Sequence, residues 1–153
     1  MSNTASATYI GPGHGKTARV FASDLEIKAG EEAGMSFGLF RSTFPPGAGM
    51  PFLHLHRSHE EAFYLVQGQV EFVLGEEELE MRAGGAVLVP PRTPHCFRNV
   101  GDGDVEWIAV TTPATAVTLI EEIGGVPRGD LDALAALLER HDSELLERRP
   151  HWA

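Results

Sequence analysis

Three histidines and one glutamate are the residues of this chain whose types and spacing best suit metal chemistry. His54 and His56 are two residues apart, so in a strand both side chains point to the same face and can share one ion. Glu61 follows five residues after His56, where the next predicted strand begins, and its carboxylate can supply a third ligand. His95 opens a further predicted strand and can supply a fourth. The spacing therefore predicts a metal site.

The predicted ligand set restricts the ion and the chemistry. Three neutral imidazoles and one carboxylate suit a divalent transition metal, namely Fe, Mn, Ni, Co, Cu or Zn. The carboxylate leaves such a site with a single net positive charge, which attracts an anionic oxygen of a substrate or polarises a carbonyl or a bound water. An octahedral metal with four protein ligands keeps two positions for water, substrate or dioxygen, whereas a closed tetrahedral zinc does not.

Short strands are expected to position these ligands. The chain has 153 residues, and many of its 17 glycines and 10 prolines lie between short apolar or alternating runs. The Gln67-Gly68-Gln69 segment between two such runs predicts a hairpin. The regular spacing of the runs is typical of a sandwich or barrel. The predicted strands cover residues 19–22, 26–28, 35–44, 52–56, 62–66, 70–74, 79–82, 86–89, 95–100 and 105–111.

After Pro113 the periodicity changes from that of strands to that of helices. Residues 114–123 are predicted to form a short helix. From residue 131 to 146 apolar residues recur at steps of three and four, which predicts one amphipathic helix of about five turns with Asp130 as its N-cap. We expect the helices to cover an open end of the barrel or an apolar surface, such as a subunit contact.

The composition restricts the partners and the compartment. Twelve Lys and Arg against 22 Asp and Glu give a net charge of −10, which argues against nucleic acid or an anionic membrane as the main partner. There is no run of about 18 apolar residues and no signal-peptide pattern at the N-terminus, so we expect no membrane span. The single cysteine, Cys96, excludes an internal disulfide and indicates a reducing compartment, so a cytoplasmic location is expected.

The segments around the candidate ligands resemble the two sequence motifs of the cupin superfamily. The first motif is matched by Gly49, His54, His56, Glu61 and Gly68. The second motif is matched by Gly84, Pro90, Arg92, His95 and Asn99. The family usually has glycine where this chain has Arg92, so we expect a local change of turn that does not need a positive φ. Residues 9–147 as a whole resemble single-domain bacterial cupins related to quercetin 2,3-dioxygenase.

The resemblance implies an all-β fold, the cupin-type double-stranded β-helix or jelly-roll barrel, with one or two C-terminal α-helices. The predicted organisation is a flexible arm or edge segment at residues 1–18, the cupin barrel at 19–113 and a helical appendage at 114–153. The resemblance also implies one metal ion held by His54, His56, Glu61 and His95, and a homodimer.

The activity implied by the resemblance is that of a mononuclear metal-dependent dioxygenase. Its small-molecule substrate would be a flavonol-like phenol or enol whose ring is opened with dioxygen. Glu61 would be the catalytic residue, because besides binding the metal it can take the hydroxyl proton of the substrate. Two alternatives stay open. One is a non-redox enzyme, such as a polyketide cyclase or an isomerase, that uses the metal as a Lewis acid; the other is a small-molecule-binding module without turnover.

Residues near the motifs have predicted roles apart from metal binding. If the ligands face inward, residues two positions away share that face and form an apolar substrate pocket, namely Phe52, Phe63, Leu65 and Phe97. His59 is out of phase with the ligand pair and is expected to take no direct part in metal binding. Cys96 is expected to be a small core residue on the face opposite His95. Asn99 is expected to fix a turn through hydrogen bonds to the backbone.

Overall fold

The computed structural model describes residues 5–148, which contain eleven strands and two α-helices. A single turn of 3₁₀ helix at Glu31–Ala33 lies between the second and third strands. The strands are β1 (Lys16–Val20), β2 (Ser23–Ala29), β3 (Gly38–Phe44), β4 (Gly49–His56), β5 (Glu60–Gln67), β6 (Gln69–Leu74), β7 (Glu77–Arg82), β8 (Ala86–Val89), β9 (His95–Asn99), β10 (Val105–Thr112) and β11 (Ser143–Leu145). The helices are α1 (Thr115–Ile123) and α2 (Leu131–Arg140).

The strands form two antiparallel sheets that enclose a common core. One sheet has the order β1-β2-β3-β10-β5-β8, and the other has the order β11-β4-β9-β6-β7. Buried residues alternate along the strands; in β10, for example, Val105, Trp107 and Ala109 are buried and the residues between them are more exposed. One face of each strand thus supplies the core. This arrangement confirms the predicted all-β jelly-roll fold with C-terminal helices.

Aromatic rings fill the middle of the barrel. The ring centroids of Phe63 and Phe97 each lie 4.6 Å from that of Trp107, and the two phenylalanine rings are 6.0 Å apart. Phe44 packs edge-on against Trp107 at 5.2 Å. Each such ring buries a large apolar area, and close packing holds the rings in fixed positions. They therefore form a rigid wall inside the barrel.

The two helices pack against one end of the barrel, which is one of the two placements that the sequence suggested. Asp130 caps α2 as predicted, since its Oδ1 accepts a hydrogen bond of 3.0 Å from the backbone N–H of Ala133. Apolar residues of both helices form a second core cluster with one residue of β4. Its buried members are Met50, Leu119, Ile123, Leu134, Leu137 and Leu138.

The prediction of one helix from 131 to 146 is wrong at its C-terminal end. The helix ends at Arg140, and Ser143–Leu145 instead form β11, which pairs with β4. The chain reverses at Asp142, whose φ is 54°, in the left-handed region that Asp tolerates better than most residues. Leucines 145 and 146 fit the helical period, but pairing with the sheet satisfies the backbone of this segment and overrides that local pattern.

Two strands, β1 and β11, include residues of the predicted N-terminal and C-terminal segments. β1 begins at Lys16 and pairs along its length with β2, so the predicted boundary at residues 18–19 falls inside a strand. β11, from the predicted helical appendage, is part of the sheet that contains β4. Residues 1–4 and 149–153, which belong to the predicted terminal segments, lie outside the described residues. Among residues 5–148, no helix is long and apolar enough to cross a membrane.

Candidate metal centre

Three buried histidines meet at one point on the inner face of the second sheet. His54 and His56 come from β4, and His95 comes from the neighbouring strand β9, in register opposite His54. The centroids of the three rings are 4.2 to 5.4 Å apart. One ring nitrogen from each residue lies within 4.8 Å of the other two. The prediction that these three histidines come together on one face is therefore confirmed.

The protein holds each imidazole through its Nδ1 atom. The Nδ1 of His54 lies 2.9 Å from the carbonyl oxygen of Phe52, and that of His95 lies 2.9 Å from the carbonyl oxygen of Thr93. A carbonyl oxygen can only accept, so each Nδ1 carries the proton and donates it. The Nε2 atoms of both residues are then left with free lone pairs. Donation from the second ring nitrogen in this way is what orients histidine ligands in metal sites.

The third histidine is held by a residue from the C-terminal strand. The Nδ1 of His56 lies 2.7 Å from the Oγ of Ser143, which is fully buried on β11. The hydroxyl of Ser143 donates its own hydrogen to the carbonyl oxygen of His141, at 3.1 Å. Ser143 therefore accepts from His56, and the Nε2 of His56 also keeps a free lone pair.

Glu61 places a carboxylate against these lone pairs. Its Oε2 lies 2.9 Å from the Nε2 of His95 and 3.6 Å from the Nε2 of His56. The side chain is buried, and no described residue forms a hydrogen bond with this oxygen. Unprotonated acceptor atoms repel one another when they face each other in a buried site. A cation bound between them removes this repulsion. The donor set of three imidazoles and a carboxylate thus fits a divalent transition metal.

The pKa values of the cluster favour the forms that bind metal. Burial, together with the neighbouring imidazoles, lowers the pKa of His54 well below its usual value, and burial lowers that of His56 to about 4. For Glu61, burial alone would raise the pKa, but the interactions with His56 and His95 outweigh that effect and hold it below its usual range. These three groups are unprotonated at neutral pH, so none has to release a proton before a metal binds.

A cavity opens beside the cluster and runs into the barrel. The space inside it that is open to the centre of a water molecule measures about 90 Å³. Phe63 and Phe97, two of the four predicted pocket residues, line it. Most other lining residues are apolar and come from both sheets and from α1; they include Leu25, Phe40, Met50, Trp107, Leu119, Ile120 and Ile123. The α1 residues show that this helix covers one side of the cavity.

The other two predicted pocket residues lie elsewhere. Leu65 is fully buried in the barrel core and does not line the cavity. Phe52 packs against the second core cluster and beside Phe21. Its placement follows from a register shift between Met50 and His54, which breaks the alternation on which the sequence argument relied.

The turn before His95 departs from the expectation for Arg92. Its φ is 64°, in the left-handed region that favours glycine, so the expectation of a turn without positive φ is wrong. The backbone N–H of Arg92 donates to the carbonyl oxygen of His56 at 2.6 Å. The turn thus keeps the backbone path suited to glycine, and this hydrogen bond ties it to the strand that carries two of the histidines.

The remaining motif residues have structural positions. Asn99 donates from Nδ2 to the carbonyl oxygens of Phe44 and Gly103 and accepts from the N–H of Gly101, so it fixes the turn as predicted. Cys96 is fully buried, and burial raises the pKa of its thiol to about 12. His59 is buried and stacks on the ring of His56, with ring centroids 5.2 Å apart, but does not belong to the converging set.

Sequence reasoning did not identify several residues of the site. The contact of Ser143 with His56 depends on a strand that the leucine pattern concealed. Ser23 and Ser42 line the cavity but belong to no motif. Alternation in β3 places Ser42 on the same inward face as Phe40 and Phe44. This pattern was the signal by which the sequence could have identified Ser42 as a cavity residue.

Comparison with known proteins finds similarity over part of the chain. Residues 40–111 match the cupin domain family. The chain is 35% identical over 60 residues to the polyketide synthase CurC of Streptomyces cyaneus, which is 39% of this chain and 39% of that protein. It is 29% identical over 70 residues to the oxalate-binding protein of Thermotoga maritima, which is 46% of this chain and 57% of that protein. The chain therefore spans less than two thirds of each of these curated relatives.

The structure is also similar to a solved structure. It superposes on KdgF from Halomonas sp. with a TM-score of 0.62 and 22% sequence identity, over 71% of this chain and 94% of that one. At this identity the likeness shows the fold alone. Residues 40–111 match the cupin domain family, and the barrel that contains them is similar to that of KdgF.

Proposed function

We propose that the protein binds one divalent transition metal through His54, His56, Glu61 and His95 and uses it to act on a small phenolic or enolic molecule. The observation that carries this proposal is the convergence of three buried imidazole nitrogens with a buried carboxylate oxygen that has no hydrogen-bond partner among the described residues. A metal bound there supplies a Lewis-acidic centre for an anionic substrate oxygen and, if it is redox-active, a centre for reaction with dioxygen.

The protein residues contribute orientation, proton transfer and exclusion of water. The hydrogen bonds on Nδ1 fix the three imidazoles before any ligand arrives. Glu61 is held ionised and is the proton acceptor nearest to a substrate hydroxyl placed at the centre of the cluster, so we assign it the role of base. Phe63, Phe97 and Trp107 supply the apolar wall that keeps water from the reacting group.

The size of the cavity favours a substrate smaller than a flavonol. The space open to the centre of a water molecule is about 90 Å³, which is small beside the roughly 300–1,000 Å³ of typical ligand pockets. A single-ring phenol or a small enol fits this space, and a flavonol is far larger. The similarity to an oxalate-binding protein also supports a small, oxygen-rich ligand.

The first candidate activity is a dioxygenase, and the second is a non-redox cyclase or isomerase. A site with four protein ligands leaves room on an octahedral metal for both substrate and dioxygen, which supports the first candidate. The similarity to a polyketide synthase supports the second, because polyketide intermediates are rich in enols and phenols.

Oxygen uptake in metal-exchanged protein distinguishes the candidates. The metal-free protein is loaded separately with Fe, Mn, Ni, Co, Cu or Zn and mixed with single-ring catechols, small enols and quercetin. The dioxygenase proposal predicts oxygen uptake with a redox-active metal and none with zinc, and His95→Ala abolishes it. Full turnover with zinc and without oxygen uptake supports the cyclase or isomerase. Tight binding without product indicates a binding module.

Homodimerisation and a cytoplasmic location stay predictions. Light scattering on the purified protein tests the first, and fractionation of the source cells tests the second.

A further inference from the structure

Two serine hydroxyls lie in the otherwise apolar wall of the cavity. Ser42 is 4% exposed and Ser23 is 8% exposed, and both line the cavity that contains the histidine cluster. Ser42 shares the inward face of β3 with Phe40 and Phe44. Ser23 lies on the inward face of β2, beside Leu25. Both side chains thus belong to the interior of the barrel.

Neither hydroxyl is used by the protein itself. Among residues 5–148, no hydrogen bond joins the side chain of Ser23 or Ser42 to another residue. Neither oxygen is among the described side-chain atoms that are buried without a partner, so both are open to the cavity. A group that enters the cavity can therefore form hydrogen bonds with them.

The two serines lie close together and away from the metal ligands. Ser42 pairs with Leu25 in the sheet, so Ser23, two residues before Leu25, is its diagonal neighbour at about 7–8 Å between Cα atoms. Ser42 also pairs with Trp107 of β10, whereas Glu61 pairs with Thr111 of the same strand. Trp107 and Thr111 are four positions apart in β10, so Ser42 and Glu61 lie about 13 Å apart along the direction of the strand. Phe63, which pairs with Ala109 of β10, lies between them.

We propose that Ser23 and Ser42 bind a hydrogen-bonding group of the ligand at the end remote from its metal-binding oxygen. The ligand class is then a small ring or enol with an oxygen for the metal at one end, an apolar middle and a hydroxyl or carbonyl at the other end. The apolar middle packs against Phe63, Phe97 and Trp107. This inference rests on the proposed function, because the metal fixes the first end of the ligand.

A matched pair of catechols tests the inference. 4-(Hydroxymethyl)catechol and 4-ethylcatechol have the same metal-binding group and nearly the same size, and differ in a terminal hydroxyl against a methyl. Binding to the cobalt(II)-loaded protein is followed anaerobically through the visible absorption of cobalt. The wild-type protein is expected to bind the hydroxymethyl compound about fivefold more tightly, which is the effect of one or two neutral hydrogen bonds.

Alanine variants assign this preference to the serines. Ser42→Ala and Ser23→Ala are expected to reduce the ratio of the two dissociation constants towards one, with cobalt affinity unchanged. Ser36→Ala, at an exposed position just before β3, is the control and keeps the wild-type ratio. The melting temperature is a second readout. Because neither serine makes a hydrogen bond in the protein, its loss leaves the melting temperature unchanged or raises it, whereas a structural hydroxyl would lower it.

An equal affinity of the wild-type protein for the two catechols would overturn the inference. So would an unchanged ratio in the Ser23→Ala, Ser42→Ala double variant. Failure of the proposed function looks different: the wild-type protein then binds no cobalt, or binds cobalt but neither catechol. In that case the inference falls with the proposal on which it rests.

Discussion

Ser143→Ala is the substitution that most sharply tests how the metal centre is built. The hydroxyl of Ser143 accepts from Nδ1 of His56 at 2.7 Å and is fully buried on β11. Without it, a neutral His56 either keeps a buried N–H with no acceptor or moves the proton to Nε2, where it blocks the metal. Both outcomes weaken metal binding, although no ligand is removed.

The magnitude follows from the geometry. Leaving one buried donor without its acceptor costs about 1–3 kcal/mol. Since 1.4 kcal/mol corresponds to a tenfold change, the expected loss of metal affinity is about 5- to 150-fold. Removal of a residue that orients a metal ligand typically costs about 10–100-fold, which agrees with this range.

The assay is competition for zinc between the protein and a coloured chelator at pH 7, with the wild-type protein and Ser36→Ala as references. Urea unfolding of the metal-free variants shows separately whether the fold has weakened, because Ser143 also donates to the carbonyl oxygen of His141. Zinc affinity equal to that of the wild-type protein in a folded Ser143→Ala variant would refute the assignment of Ser143 as a positioning residue.

Three further predictions concern charge, pH and the turn at Arg92. Glu61→Gln keeps the shape of the side chain but removes its charge; we expect zinc affinity to fall by about 100-fold and activity to be lost, while Glu60→Gln, at the exposed neighbouring position, changes neither. In metal-free protein the pKa of His56 is about 4 when folded and 6.5 when unfolded. The unfolded chain therefore binds the proton first as the pH falls, so His56 alone is expected to lower the free energy of unfolding by about 2 kcal/mol between pH 7 and pH 5. His54, whose pKa is also lowered, adds to this loss; equal values at the two pH values in urea titrations would contradict this. Arg92→Gly removes the cost of a left-handed non-glycine residue and should raise the free energy of unfolding by about 1 kcal/mol, and a decrease would count against the turn described here.

The sequence was sufficient to predict most of the strands and the shared face of His54 and His56 because both depend on local alternation. His54 and His56 share a face through the two-residue period of a strand, and His95 opens the partner strand. The aromatic cavity wall at Phe63 and Phe97 follows from the same period. The place of His95 beside His54 and His56 depends on the pairing of β9 with β4, and the resemblance to the cupin motifs supplied it.

The features that were missed depend on contacts between distant segments. A leucine pattern continues through residues 141–146, so the end of α2 and the strand β11 emerge only when the pairing with β4 is known. Ser143 contacts His56 across 87 positions of sequence. The register shift that turns Phe52 away from the cavity is also a property of the pair of strands and leaves no mark in either sequence alone.

Metal content measured by mass spectrometry tests the central claim most directly. The tag-free wild-type protein is compared with His95→Ala, which removes one buried ligand, and with His14→Ala, which alters an exposed histidine outside the cluster. We predict about one equivalent of a divalent transition metal in the wild-type protein and in His14→Ala, and its loss in His95→Ala. Absence of bound metal from the wild-type protein, even after reconstitution, or equal metal content in all three proteins, would contradict the account.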